Sequence, residues 1–215
     1  MRVSRTTVKT TRRYDSSGRQ QGAEARRLAV LDAAGRRFLR DGYAATTVAL
    51  IAADAGVSVE TVYKVFGGKP GLVRAMWDTA LAGEGPVHAE IRSDKVSAAG
   101  NDPTAIIASW AALSTEVAPG VSPVLLLIRT AASTDPEMQT LKDELDAQRL
   151  ARMTHNADAL ARGGHLREDI TRDQARDVLF TYTAAEIYEL LVLRRGWSLD
   201  NFAQFIRRGI TAALL

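Results

Sequence analysis

The 215-residue chain contains no cysteine. That absence excludes disulfides, thiol redox sensing, cysteine nucleophiles and cysteine zinc sites together. Histidine is scarce as well: His88, His155 and His165 are scattered with no ligand spacing among them, so no metal site is expected. Long apolar runs are missing. The longest purely aliphatic stretch, Val124 to Ile128, falls far below the roughly 20 residues a membrane-spanning helix needs. No apolar segment follows the N-terminal arginines, so no secretory signal is read and a cytoplasmic protein without a membrane partner is the expectation. The sequence holds no G-x-S-x-G, H-E-x-x-H or G-x-G-x-x-G, and Gly68-Lys69 is followed by Pro70 where a phosphate-binding P-loop needs Ser or Thr. With nothing to set a nucleophile beside a base, neither catalysis nor a cofactor is expected. No segment alternates with period two over a useful length, which argues against strands.

What is present is an ordinary globular composition, 46% hydrophobic and 25% charged, with an uneven distribution of charge. Residues 1–77 hold 14 Lys/Arg against 6 Asp/Glu, a net +8, and the remainder carries a net −5 within the total of +3. A basic N-terminal third joined to an acidic body is the electrostatic footprint of a nucleic-acid module attached to something else.

Two short helical patterns around a glycine-containing turn occupy Thr46 to Lys69. Val48, Ile51, Ala52 and Ala55 are at helical spacing behind Thr46 and Thr47, two candidate N-caps. Ala55-Gly56-Val57 turns the chain. Ser58 then opens a second helix in which Val62 and Phe66 face inward, leaving Val59, Glu60, Thr61, Tyr63 and Lys64 outward. This is the helix-turn-helix arrangement, whose second helix enters the major groove. Ahead of it, Glu24 to Arg40 reads as an amphipathic helix ended by Asp41-Gly42-Tyr43, and residues 1–23 as a flexible basic arm. Behind it, Pro70 starts a fourth helix at Lys69.

Residues 92–103 read as a loop, and the patterns beyond are helical. They cover Thr104 to Val117, a break at Pro119-Gly120, then Pro123 to Ala132, Asp135 to Arg162, Thr171 to Arg195, and a last helix from Ser198. The expectation is an all-α fold of about nine helices. It comprises a basic arm (1–23), a DNA-binding unit with a three-helix helix-turn-helix (24–82), and a helical ligand-binding and dimerisation unit (83–215). Trp110, Arg129, Met153 and Tyr182 are candidate ligand contacts, because an apolar cavity with one charge and a few hydroxyls is how helical proteins hold small molecules.

The ordered set Asp41-Gly42-Tyr43, Thr46-Thr47-Val48, Ile51-Ala52, Ala55-Gly56-Val57-Ser58, Thr61-Val62-Tyr63, Phe66, Lys69 and Leu72 resembles the DNA-binding domain of tetracycline-repressor (TetR) family regulators. The resemblance implies a homodimeric regulator, usually a repressor, that binds a palindromic double-stranded operator and is released by a small-molecule inducer. Carried over residue by residue, Thr46 and Thr47 begin a helix that touches phosphate, and Ser58 caps the recognition helix. Thr61 and Tyr63 bind phosphates, Val59, Glu60 and Lys64 face base edges, and Lys69 grips the backbone. Tyr188, Leu191, Trp197, Phe202, Phe205, Ile206 and Ile210 fall on the two last helices, which in that family pair with a partner's to form the dimer interface. Three alternatives stay open at this stage: an activator of the same kind, a carrier or enzyme with a vestigial helix-turn-helix, and a helical adaptor.

Overall fold

The computed structural model describes residues 17–83, 87, 89–99 and 102–215. Their regular structure is entirely helical: α1 Ser17–Asp41, α2 Val48–Ala55, α3 Val59–Phe66, α4 Lys69–Ala82, α5 Ala89–Ala99, α6 Pro103–Ala132, α7 Pro136–Arg162, α8 Arg172–Tyr182, α9 Ala185–Tyr188 leading into a π-helical turn Glu189–Leu193, and α10 Leu199–Leu214. The expected all-α class is found, with one helix more than expected.

Four boundaries differ from the sequence reading. Most of the basic arm, with Arg2, Arg5, Lys9, Arg12 and Arg13, lies outside the described residues, but residues 17–23 form the first turns of α1 instead of a flexible segment. Extending a nucleated helix adds one hydrogen bond per residue, and a polar extension carries no apolar stripe to announce it. The expected loop at 92–103 is largely helix α5. Polar contacts hold it: Arg92 meets Glu116 on α6 in a two-pronged pair at 2.8 and 2.6 Å, and Asp94 pairs with Arg152 on α7.

The expected break at Pro119-Gly120 does not occur, and α6 runs 30 residues through Pro119 and Pro123. Each interior proline forfeits a backbone hydrogen bond at a cost of about 3 kcal/mol, which burial of Ile106, Ile107, Trp110, Val121, Val124 and Ile128 along the helix offsets. Gly120 serves packing: a Cβ there would sit 3.1 Å from the Ala80 Cβ of α4. By length and composition α6 is the one described helix that could cross a membrane; here its apolar side is covered by α4, α7, α9 and α10. Finally, the expected single helix from Thr171 to Arg195 is interrupted after Tyr182. The Thr183 hydroxyl donates back to the Leu179 carbonyl at 2.9 Å, and the Arg149 guanidinium reaches the Phe180 and Thr183 carbonyls at 3.4 Å each. Side chains thus satisfy the helix end that further helix would have satisfied.

Two apolar cores result. One joins Phe38, Ile51, Val62, Leu72 and Trp77 of α1–α4 to Val124, Ile128, Met138, Leu141 and Leu145 of α6 and α7. The other joins Ile107, Trp110 and Leu160 to Leu179, Tyr188, Phe202, Ile206 and Ile210.

Candidate functional site

Local chemistry builds the helix-turn-helix. Thr47 Oγ1 accepts from the Leu50 N–H at 3.2 Å to start α2, Gly56 turns the chain at φ 66°, and Ser58 Oγ accepts from the Thr61 N–H at 3.2 Å to start α3. Both caps are as expected. Arg37 on α1 holds Asp54 on α2 through two bonds of 2.6 and 2.8 Å, and those bonds keep the Asp54 carboxyl below its ordinary range. At the other end, Gly71 brings α4 so close to α3 that a Cβ there would overlap the Phe66 carbonyl oxygen.

The outward surface of α3 is narrower than expected. Tyr63, Lys64 and the unanticipated Val65 are exposed, with Tyr63 54% and Val65 53% accessible. Val59 is half-buried against the core. Glu60 is exposed, but its carboxylate accepts from its own backbone N–H and from the Ser58 hydroxyl, which lowers its pKa and gives it a capping role. Thr61 is partly covered, its hydroxyl 3.1 Å from that of Ser58. Thr46 corrects the expectation of a phosphate contact: it is 1% exposed and donates to the Gly42 carbonyl at 2.8 Å. Lys69 also turns inward, its Nζ donating to the Tyr43 carbonyl at 2.6 Å and lying 4.0 Å from the Tyr43 ring centre. Burial lowers its pKa. The Tyr43 hydroxyl bonds Asp135, the N-cap of α7, and burial with that carboxylate raises the Tyr43 pKa. Tyr43 thereby fastens the reading unit to the body.

In the body, a cavity of about 150 Å³ opens among α4, α5, α6, α7 and the end of α8. Of the four candidate ligand contacts, Trp110 and Met153 are among the residues that line it. Arg129 and Tyr182 are not. Arg129 lies on the surface, bonded to Glu186 at 2.8 Å and Glu189 at 3.3 Å, because a cation on an apolar helix takes the nearest carboxylates. Tyr182 packs on Phe205, its ring against the bare backbone of Gly209. Sequence reasoning missed Trp77, Arg149, Arg152 and Asn156, which also line the cavity. Arginines 149 and 152 look like solvated charges in a polar helix pattern, and only the fold shows that they share the inward side with Asn156.

The last helices present a different apolar face from the one expected. Tyr188, Phe202, Ile206 and Ile210 are buried within the chain, since the stripe of α10 faces the second core. Trp197 and Phe205 are each 37% exposed, Leu191 is partly so, and Leu190, Leu193 and Leu199 join them on the surface.

Residues 30–76 match the family model described as bacterial regulatory proteins, tetR family. That segment, from the second half of α1 to the middle of α4, is a tetR-family DNA-binding segment. Solved structures agree over almost the whole fold. The fatty acid degradation regulator FadR from Bacillus halodurans superposes with a TM-score of 0.70 at 16% identity, covering 86% of this chain and 94% of that one. NalD, the secondary repressor of the MexAB-OprM multidrug efflux pump in Pseudomonas aeruginosa, gives 0.70 at 21%, covering 91% and 98%. SmeT in complex with triclosan gives 0.70 at 18%, covering 89% and 92%. No curated protein matches the chain by sequence. The matched family and the FadR and NalD structures are those of transcriptional regulators.

Proposed function

We propose that this protein is a tetR-family regulator: a homodimeric, inducer-released repressor of a palindromic operator. The observation that carries the reading is the double membership of α4. Its first residues, Lys69 and Gly71, lock onto Tyr43 and Phe66 of the reading unit, and its Trp77 and Leu81 form cavity wall. A molecule seated in the cavity therefore presses on the helix that sets the position of α3. In a dimer the two α3 helices enter successive major grooves about 34–36 Å apart. Occupancy lowers affinity for DNA to the extent that the ligand prefers another spacing. NalD is a repressor and SmeT holds triclosan, and both precedents favour this assignment.

On DNA, Tyr63 and Lys64 make the principal contacts, Lys64 as donor to a guanine edge. Thr47, Thr61 and the α2 N-terminus approach phosphates, with Val59 beside them. Lys69 reaches phosphate only by leaving Tyr43. Leu190, Leu191, Leu193, Trp197, Leu199 and Phe205 form the dimer face, and residues up to 82 and from 83 onward act as reading and sensing parts. The test is a mobility-shift titration on inverted repeats flanking the gene, over a range of salt. Lys64→Ala should weaken specific binding by about 1–3 kcal/mol, and Tyr63→Phe should weaken binding about uniformly across sequences, as loss of a neutral phosphate contact does. Unchanged affinity and salt dependence in both variants would refute the groove assignment.

A further inference from the structure

Resting on the reading of the cavity as an inducer site, we infer that it takes a single-ring organic carboxylate bearing a hydrogen-bond donor, with the carboxylate at Arg149 and Arg152 and the donor at Asn156. The two charged residues that line the cavity are both cationic. Their acidic partners lie outside the lining: Asp146 is 3.5 Å from Arg149 and is shared with Lys142 at 2.9 Å, and Asp94 is shared between Arg152 and His155. Arg149 is largely covered, its side chain 15% exposed. Its bonds to Asp146, Phe180 and Thr183 are all long, at 3.4–3.5 Å, and burial lowers its pKa. The guanidinium also lies 4.3 Å from the centre of the Phe180 ring. A largely covered guanidinium whose hydrogen bonds are all long favours an incoming anion, and a carboxylate matches its planar fork.

Asn156 supplies the independent observation. It is 4% exposed and lines the cavity, and its Oδ1 is one of three buried side-chain polar atoms without a hydrogen-bond partner among the described residues. A buried acceptor of this kind calls for a donor from the ligand. Residues 149, 152 and 156 follow i, i+3, i+7 spacing on one face of α7. At 1.5 Å per residue, Asn156 lies about 6 Å along the axis from residue 152 and about 10 Å from residue 149. That is the span of an aromatic ring between an acidic side arm and a para hydroxyl. Trp77, Trp110, Val121, Leu125 and Met153 supply apolar walls, and a cavity of about 150 Å³ is of the size that takes benzene.

The test is calorimetric titration of the full-length protein with benzoate, phenylacetate, 3-phenylpropanoate and 4-hydroxyphenylacetate, each beside its neutral amide, with operator release followed in parallel. The expected result is at least one carboxylate bound about ten-fold or more tighter than its amide. Arg149→Met should abolish that preference and Arg149→Lys should keep part of it; a merely structural arginine would change melting temperature without changing the ratio. The para hydroxyl should tighten binding in the natural protein and give no gain in Asn156→Leu. If the amides bind as well as the acids, the carboxylate class is overturned while the cavity stands as the ligand site. If no compound binds, both fail. Operator binding without ligand tests the regulator reading separately.

Discussion

Replacing Asn156 by leucine should make the protein more stable and less responsive. The amide is enclosed in the body with its Oδ1 unpaired among the described residues. An unpaired buried acceptor costs about 1–3 kcal/mol. Leucine occupies nearly the same space without that penalty, and a shape mismatch in a packed site takes back less than about 1.5 kcal/mol. Taking the relief at its middle value of about 2 kcal/mol, a net gain of about 0.5–2 kcal/mol remains after both effects. For a chain of this length each kcal/mol moves the melting temperature by about 2–4 °C, so Asn156→Leu should melt about 1–8 °C above the natural protein. Scanning calorimetry at one fixed protein concentration is the assay, because self-association makes the midpoint concentration-dependent. Asn156→Ala is the control: it removes the polar atom but leaves a void, and should melt at or below the natural protein. If Asn156→Leu melts lower than the natural protein, the amide is holding the fold together and the argument from its unpaired oxygen is wrong. If it melts higher and still releases operator with the same inducer response, the amide has no part in sensing.

Other consequences are open to direct measurement. Leu193→Glu and Trp197→Glu should convert a dimer to monomer in light scattering without altering the helical circular dichroism signal, since both side chains are exposed on the chain itself; an unchanged dimer would move the interface elsewhere. Gly71→Ala should cost about 1–3 kcal/mol or more in urea unfolding and weaken operator binding, because the added methyl collides with the Phe66 carbonyl; unchanged unfolding would show that α3 and α4 separate easily. Arg37 depresses the Asp54 pKa in the folded state, so that contribution is complete above the unfolded value near about 4 and is lost as pH falls through the lower folded value. Asp54→Asn should therefore melt lower than the natural protein at neutral pH and show a shallower fall in acid, the two curves converging; parallel curves would refute the pairing.

The reading unit was legible in the sequence because its signals are local. Caps at Thr47 and Ser58, the turn at Gly56 and the inward Val62 depend on neighbours a few residues away. What failed depended on partners far along the chain. Thr46 looks like any exposed hydroxyl until the Gly42 carbonyl is found beneath it. α5 has polar anchors instead of an apolar stripe, and α6 keeps its prolines because burial outweighs two lost bonds. The stripe of α10 is visible, but periodicity does not say whether a stripe meets its own chain or a second copy; Phe202, Ile206 and Ile210 meet their own chain. The cavity posed the same difficulty more sharply: Arg149, Arg152 and Asn156 become a group only when α7 is folded against α5 and α6.

The first apolar core passes without interruption from Phe38 and Ile51 in the reading unit to Met138 and Leu145 in the body. This limits how the protein can be taken apart and recombined. A chimaeric biosensor made by exchanging residues up to 82 for another regulator's DNA-binding segment would graft a foreign surface onto Val121, Val124, Ile128 and Leu141, side chains shaped to this α4 and α1. Swaps should succeed only when that seam is transplanted with the segment, so the useful cut for engineering follows the packing and not the point where the sequence changes character.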